Sequence, residues 1–191
     1  MKSHIPFLFA LLYFGTLEAL SPVLTDPDAY FHIRFASLGP SAWISHDPPQ
    51  MRFTLFEDHH WVDHQLLFHA LQWPFTWILP LEAAARCSAA LFAATAVGVF
   101  GYILQKYRDD AWIYALFLPA SSWFFDFRMI MPRAQSISLA LLLLGFLWSL
   151  EGRRFFMLGL GFIFAWTYHV SLLLFPLSFV GTFWGKDKII P

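Results

Sequence analysis

Long apolar runs separated by short polar loops constrain this chain more than any other feature. The first run, residues 5–24, carries one ionisable side chain, Glu18, and would reach about 30 Å as a helix, which is the thickness of a bilayer's hydrocarbon core. Hydrophobic residues make up 58% of the sequence and charged residues 13%, against about 25% charged in an average soluble domain. The sequence therefore predicts an all-α integral membrane protein.

The later apolar runs predict a polytopic bundle of about six transmembrane helices. Residues 81–105, 111–125 and 134–150 each suit one crossing, whereas residues 65–80 contain His69, Gln72 and Pro74 and suit an interfacial or re-entrant helix. The tract at residues 155–184 would be about 45 Å long as one helix, so we expect a hairpin or a helix break at Tyr168 and His169. No Gly, Ser or Pro-rich linker divides residues 1–191, which predicts a single domain.

The distribution of basic residues predicts the orientation in the membrane. With a hairpin at His169, one side would receive Lys2, Lys106, Arg108, Arg153, Arg154, Lys186 and Lys188, and the other Arg34, Arg52, Arg86, Arg128 and Arg133. The positive-inside rule makes the first side cytoplasmic. Both termini are then cytoplasmic, and the loops that are rich in acidic residues and histidine face outward.

The loop after the first run begins with an Asp-Pro-Asp turn at residues 26–28. Asp26 and Asp28 are close enough in sequence to approach one divalent cation, and hard oxygen ligands favour Mg or Mn. Asp47, later in the same loop, is a further candidate metal ligand. An ordinary turn at a helix end explains the two carboxylates equally well, but the nearby His32 and Arg34 favour contact with an anion such as phosphate.

A second polar cluster closes this loop at residues 57–64. Asp63 is a candidate general base or second metal ligand, and His64 is a candidate substrate ligand. The chain has one cysteine and therefore no cysteine pair, which argues against a closed zinc site. The alternative is a solvated loop that leads into an interfacial helix, with Trp61 as membrane anchor.

Three basic or titratable residues farther along the chain are candidate substrate ligands. Arg128 and Arg133 flank Pro132 between apolar segments, where two cations could hold a phosphate or pyrophosphate, although arginines at span ends often reach to lipid headgroups instead. His169 lies within an apolar tract and must be paired, exposed to water or placed at a helix break. A net charge of -1 argues against a nucleic-acid partner.

These motifs occur in an order that resembles the N-terminal half of bacterial polytopic glycosyltransferases of the GT-C class. The resembling segments are residues 26–32 (Asp-Pro-Asp-Ala-Tyr-Phe-His), 46–48 (His-Asp-Pro), 60–65 (His-Trp-Val-Asp-His-Gln), 131–135 (Met-Pro-Arg-Ala-Gln) and 167–169 (Thr-Tyr-His). More distantly, the chain is similar to oligosaccharyltransferase catalytic subunits and protein mannosyltransferases. The resemblance implies an enzyme of the bacterial inner membrane that passes a sugar from a polyprenyl-phosphate donor to an acceptor on the outer face.

Carried over residue by residue, the resemblance makes Asp28, or Asp26, the catalytic carboxylate that activates the acceptor, and it makes Asp63 with His64 a second acidic site. Gln65 departs from the pattern, which usually has a glutamate there. Members of the class are commonly much longer, so the resemblance also implies an incomplete module to which another membrane subunit adds helices. Two alternatives stay open: a non-catalytic membrane subunit that keeps the fold, and a haem protein, for which only His169 lies near mid-membrane.

Overall fold

Helices make up all the regular secondary structure of the residues that the structure describes. This computed structural model describes residues 4–44 and 63–168, and no β-strand occurs within these ranges. The helices are α1 (His4–Leu20), α2 (Asp28–Ser37), α3 (Pro40–Trp43), α4 (Leu66–Ile78), α5 (Leu81–Gln105), α6 (Trp112–Leu116), α7 (Trp123–Ile130), α8 (Gln135–Leu150) and α9 (Arg154–Thr167), with a 3-10 turn at Pro119–Ser121. The predicted all-α class is confirmed for these residues.

The main core lies between α1 and α5. Phe14 of α1 is fully buried in a cluster that includes Ala93 and Val97 of α5. Small residues on α5 let the two backbones approach closely, as at many helix contacts in membranes. The approach is close at Gly101, where an added Cβ would lie 2.7 Å from Cγ of Pro6.

One helix in the described ranges, α5, is long and apolar enough to cross a membrane. Helices α7 and α8 pass the same test only as a pair, and they are bent by 108° at the break between them. Helix α1 and residues 155–167 of α9 are apolar but shorter. The described residues therefore hold one candidate span, or two if the bent pair is one crossing, and the six predicted crossings stay a prediction.

The apolar run at residues 111–125 differs from the expected single crossing. It is divided among α6, the 3-10 turn and the start of α7. Pro119 opens the 3-10 turn, and the extended Ser122 then starts a new helix by accepting a hydrogen bond from the Phe124 amide over 3.2 Å. Pro119 has no amide hydrogen to donate to a carbonyl one turn earlier, so an α-helical hydrogen bond is missing where the run is broken.

The described start of the first loop forms short helices that pack onto the bundle. Trp43 of α3 is buried, and its Nε1 donates a hydrogen bond of 3.0 Å to the carbonyl of Phe35 in α2. Helix α4, predicted as an interfacial or re-entrant helix, contacts both α2 and α5. Residues 45–62, which form the rest of this loop, lie outside the described residues, as do residues 169–191.

Basic residues gather at the end of the bundle where α5 and α8 both finish. Lys106 Nζ lies 2.5 Å from Oε1 of Glu151, and Arg153 Nε lies 2.6 Å from Oε2 of the same carboxylate. Among the described acidic residues, Asp26 and Asp28 instead bind Arg133, just before the start of α8 and about 24 Å away along the axis of that helix. Helix α9, the last in the described ranges, ends at Thr167 with an extended Tyr168, at the position where the sequence predicts a hairpin or a helix break.

Replacing Gly101 with alanine should destabilise the protein by about 1–3 kcal/mol, because the new methyl group collides with the rigid ring of Pro6. Gly159 is a matched control, since a Cβ added there meets nothing within 4 Å. Gly159→Ala should leave stability unchanged or raise it by up to about 1 kcal/mol through helix propensity. Thermal unfolding in detergent measures both, and equal melting temperatures for the two variants would contradict the close approach of α1 and α5.

Candidate functional site

A cavity of about 350 Å³ lies where α2, the start of α4 and the start of α8 meet. Its volume falls within the range of about 300–1,000 Å³ that is usual for small-molecule sites. Because Asp28 and His64 line it and are exposed, the cavity opens to the surface. The lining residues are Asp28, Phe31, His32, His64, Gln65, Arg133, Ala134, Gln135 and Tyr168. Four of the predicted site residues therefore share one cavity.

Arg133 is held by both aspartates of the Asp-Pro-Asp turn. Its Nη2 donates a hydrogen bond of 2.7 Å to Oδ1 of Asp26, and its Nε donates to Oδ2, so that the guanidinium grips this carboxylate with two nitrogens. The same Nη2 lies 2.6 Å from Oδ2 of Asp28. The side chain of Asp26 is 1% exposed and that of Asp28 is 60% exposed. Asp26 therefore binds the arginine from the protein interior, and Asp28 binds it at the surface.

Local sequence places these three side chains. Asp26 Oδ1 accepts a hydrogen bond of 3.2 Å from the Asp28 amide, which is the turn that an aspartate forms before a helix. On the other side, Pro132 pushes Met131 into an extended conformation, because the residue before a proline is disfavoured in the α region. Arg133 thus stands in the break between α7 and α8, facing the start of α2.

The ion pair shifts the titration of its partners. Burial alone would raise the pKa of Asp26, but the hydrogen bonds from Arg133 and from the Asp28 amide outweigh it and hold the pKa below its ordinary value. The hydrogen bond to Asp26 likewise raises the pKa of Arg133. The cation at the cavity is therefore permanently charged.

A chain of three titratable side chains runs from the protein interior to the cavity. Oδ2 of Asp63 lies 2.7 Å from Nδ1 of His69, and Nε2 of His69 lies 3.0 Å from Nδ1 of His32. Asp63 is 5% exposed and His69 is 1% exposed, whereas His32 is among the residues that line the cavity. Asp63 also starts α4, because its Oδ1 accepts a hydrogen bond of 2.9 Å from the Gln65 amide.

Aromatic rings enclose the two histidines. The ring of Phe35 meets His69 edge-on at 5.0 Å, and the ring of Phe68 meets His32 edge-on at 5.6 Å. Burial among these rings, followed by the neighbouring His69 and Arg133, lowers the pKa of His32 to about 4, while Asp26 and Asp63 act in the opposite direction. His32 is therefore neutral at physiological pH.

Not all the predicted site residues reach the cavity. Arg34 is exposed in the last turn of α2, and Arg128 lies with its Cζ 5.2 Å from the ring centre of Phe124. Neither residue lines the cavity, in contrast to Arg133. Asp47 and His169 lie outside the described residues. The expected pairing of Arg128 with Arg133 on one phosphate therefore has no counterpart in this arrangement.

The predicted Mg or Mn site does not fit this arrangement of the carboxylates. Asp26 and Asp28 both bind Arg133, so a cation placed between them would have to displace the guanidinium. Within residues 4–44 and 63–168, no group of three or more His, Cys, Asp or Glu side chains could hold a metal ion. The metal stays a prediction, and Arg133 supplies the positive charge of this cavity.

His69 is the member of the site that the sequence motifs missed. The sequence predicts it to be one of the outward-facing polar groups and an interruption of an apolar segment, but no spacing rule links it to His32, 37 residues earlier. A signal was nevertheless available, because an ionisable side chain in an apolar helix needs a partner. Asp63 precedes the same helix as His69, whereas His32 belongs to α2 and is brought close only by the fold.

Comparison with known proteins finds no match for this chain. No protein-family model, no curated protein sequence and no solved structure matches the chain. The function has to be argued from the residues themselves.

We expect the stability of the protein to fall as the pH is lowered from 7 to 5, partly because of His32. Its pKa is about 4 in the folded protein against 6.5 ordinarily, so the unfolded chain binds more protons between these values and stability rises with pH across the window. Thermal unfolding at several pH values measures the slope. His32→Gln should flatten it, and His4→Gln, at an exposed histidine, should not. Equal slopes for His32→Gln and the unaltered protein would contradict the buried, neutral imidazole.

Proposed function

We propose that this chain is a GT-C-like membrane glycosyltransferase module, which transfers a sugar from a polyprenyl-phosphate donor to an acceptor on the outer face of the membrane. The observation that carries the proposal is the cavity in which one fixed cation, Arg133, stands beside a carboxylate and two imidazoles. The order of motifs that resembles the GT-C class supports the same assignment.

Arg133 suits the phosphate of the donor. A guanidinium presents several N–H donors in a plane and binds phosphate or carboxylate oxygens through charged hydrogen bonds. Two aspartates already hold Arg133 in position, so little conformational freedom is lost when a phosphate binds. During transfer the phosphate leaves with an additional negative charge, which this cation stabilises more strongly than it does the intact donor.

Two acceptor oxygens among the residues that line the cavity suit hydroxyl groups. Oε1 of Gln65 is buried and has no hydrogen-bond partner among the described residues, and the residue lines the cavity. Oδ1 of Asp28 is likewise not used by Arg133, which binds Oδ2. Acceptor oxygens of this kind need N–H or O–H donors, and the hydroxyls of a sugar or of an acceptor provide them. Asp28 is then placed to orient the acceptor, and the sequence-based expectation that it is the base stays a prediction.

The position of the cavity is consistent with an outward-facing site. It adjoins the start of α8, whereas Lys106, Glu151 and Arg153 gather at the end of that helix. With the basic end in the cytoplasm, the cavity lies at the outer surface and both termini are cytoplasmic. We propose the bacterial inner membrane as the location, with another membrane subunit to complete the helices around the lipid donor.

The ion pairs also favour a second candidate, the non-catalytic membrane subunit. Asp26 and Asp28 bind Arg133 across about a hundred residues of sequence, and a purely structural tie between the first loop and the break before α8 would have the same contacts. In that case the polar surface around the cavity would bind a partner protein instead of a lipid-linked sugar. Donor binding separates the two functions.

Loss of the Arg133 cation should weaken donor binding by about 10- to 150-fold, because a charged hydrogen bond contributes about 1.5–3 kcal/mol. Arg133→Gln is combined with Asp26→Asn so that no buried carboxylate loses its partner. Polyprenyl phosphate is the probe, and native mass spectrometry of the full chain measures its binding. Arg128→Gln is the matched control and should bind like the unaltered protein, since Arg128 does not line the cavity.

Equal loss in the Arg128 and Arg133 variants would indicate general attraction of the lipid to basic residues. No binding of polyprenyl phosphate by the unaltered full chain would favour the subunit over the transferase. Melting temperatures of all variants are measured alongside, because a variant that unfolds also loses binding.

The proposed orientation predicts which introduced cysteines can be labelled from outside intact cells. Cys87 is exposed and is first replaced by serine. His64→Cys, at the cavity mouth, should react with a membrane-impermeant maleimide, and Asp109→Cys, at the basic end after α5, should react only after the membrane is permeabilised. The reverse pattern would place the cavity in the cytoplasm.

A further inference from the structure

We propose that His32 is the group that takes the proton from the acceptor hydroxyl, and that Asp63 and His69 hold it in the state that can do so. The inference rests on the glycosyl transfer proposed above and names the base of that reaction. It is carried by the hydrogen-bonded chain from Asp63 through His69 to His32, which ends at the cavity.

In the proposed state His69 is neutral, and the positions of the protons then follow from the partners. A carboxylate can only accept, so the contact of 2.7 Å between Asp63 and Nδ1 of His69 places a proton on that nitrogen. A neutral imidazole has one N–H, which leaves Nε2 of His69 as an acceptor. The contact of 3.0 Å with His32 then needs a proton on Nδ1 of His32. Nε2 of His32 is left with a lone pair.

This protonation state decides what His32 can bind. Without a proton, Nε2 cannot donate to a phosphate, which is the contact that the sequence suggested for this histidine. It can accept a hydrogen bond from a hydroxyl. The two substrates therefore bind different residues of the cavity: the donor phosphate binds Arg133, and the acceptor hydroxyl binds His32. The low pKa of His32 agrees with the neutral ring that this assignment requires.

The transfer step needs no reactant other than the donor and the acceptor. The acceptor oxygen forms a bond to the anomeric carbon, the bond from that carbon to the phosphate oxygen breaks, and its electron pair leaves with the lipid phosphate. The acceptor's proton passes to Nε2 of His32. As the ring becomes positive, its Nδ1 proton can shift towards Nε2 of His69, so that the charge is shared with an imidazole that contacts the Asp63 carboxylate. The proton returns to solvent when the product leaves.

Asp63 offers an exact test of the proton positions, because its two oxygens have different partners. Oδ1 accepts from the Gln65 amide and Oδ2 faces His69. In Asp63→Asn the amide oxygen keeps the backbone contact and its NH2 group faces Nδ1 of His69. Both imidazoles must then reverse, and Nε2 of His32 gains a proton. The variant is almost the same size as the natural residue but removes the lone pair at the cavity.

The experiment compares His32→Gln, Asp63→Asn and Asp28→Asn in the full chain within native membranes, which contain the acceptor and any partner subunit. Transfer from radiolabelled polyprenyl-phosphate glucose, mannose and arabinose is measured, together with the binding of polyprenyl phosphate. We expect the His32 and Asp63 variants to lose transfer by about a hundredfold or more, the scale of a general base, and to keep donor binding. Asp28→Asn should lose less than about tenfold.

A nitrogen-15 spectrum of histidine-labelled protein reports the protonation state directly. We expect Nε2 of His32 to be unprotonated in the natural protein and protonated in Asp63→Asn, which a merely structural role of Asp63 would not produce. If His32→Gln fails to fold, the near-isosteric Asp63→Asn carries the comparison.

The outcomes are distinct. A hundredfold loss in Asp28→Asn with near-normal transfer in the His32 and Asp63 variants would overturn the assignment of His32 and leave the glycosyltransferase in place with a carboxylate base. A proton on Nε2 of His32 in the natural protein would also overturn it. Failure of the unaltered chain to bind any polyprenyl phosphate would overturn the transferase itself, and the base with it.

Discussion

The ion pair of Arg133 with Asp26 is the contact on which the arrangement of the cavity depends. It joins the loop after α1 to the break between α7 and α8, and it does so with a carboxylate that is almost fully buried. A buried charge without a partner is strongly destabilising, so neither residue can be moved without the other. The start of α2, and with it the position of Asp28 and His32, is therefore fixed relative to α8.

Burial divides the site's polar residues into two groups. Asp26, Asp63 and His69 are buried, and each must satisfy its hydrogen bonds within the protein. Asp26 and Asp63 accept hydrogen bonds from amides at the starts of α2 and α4, and Asp26 and Asp63 with His69 orient their neighbours. Asp28 and His64 are exposed at the cavity mouth, and both have access to a ligand. The buried residues hold their neighbours in position, and the exposed residues can contact a ligand. A site on short loop helices can be rigid for this reason.

The sequence predicted the helices best where apolar runs are continuous and without proline. Residues 81–105 and α5 have the same bounds, and the end of α9 falls where a break was expected. The run at residues 111–125 was predicted as one crossing because its hydropathy is high, yet Pro119 and Ser122 divide it. Hydropathy measures whether a segment can be buried, whereas the continuity of a helix depends on single residues that break the hydrogen-bond ladder.

The sequence by itself determined which residues can carry charge and which segments are apolar enough to form long helices, because residue type and the length of an apolar run are local properties. Which of them meet was decided only by the tertiary structure. Arg133 lies at the cavity and Arg128 does not, although they are five residues apart, and His69 joins the site although no motif includes it. The reason is physical: contacts across a helix bundle depend on the break angle and on the face of each helix that is buried, and both result from packing against distant segments of the chain.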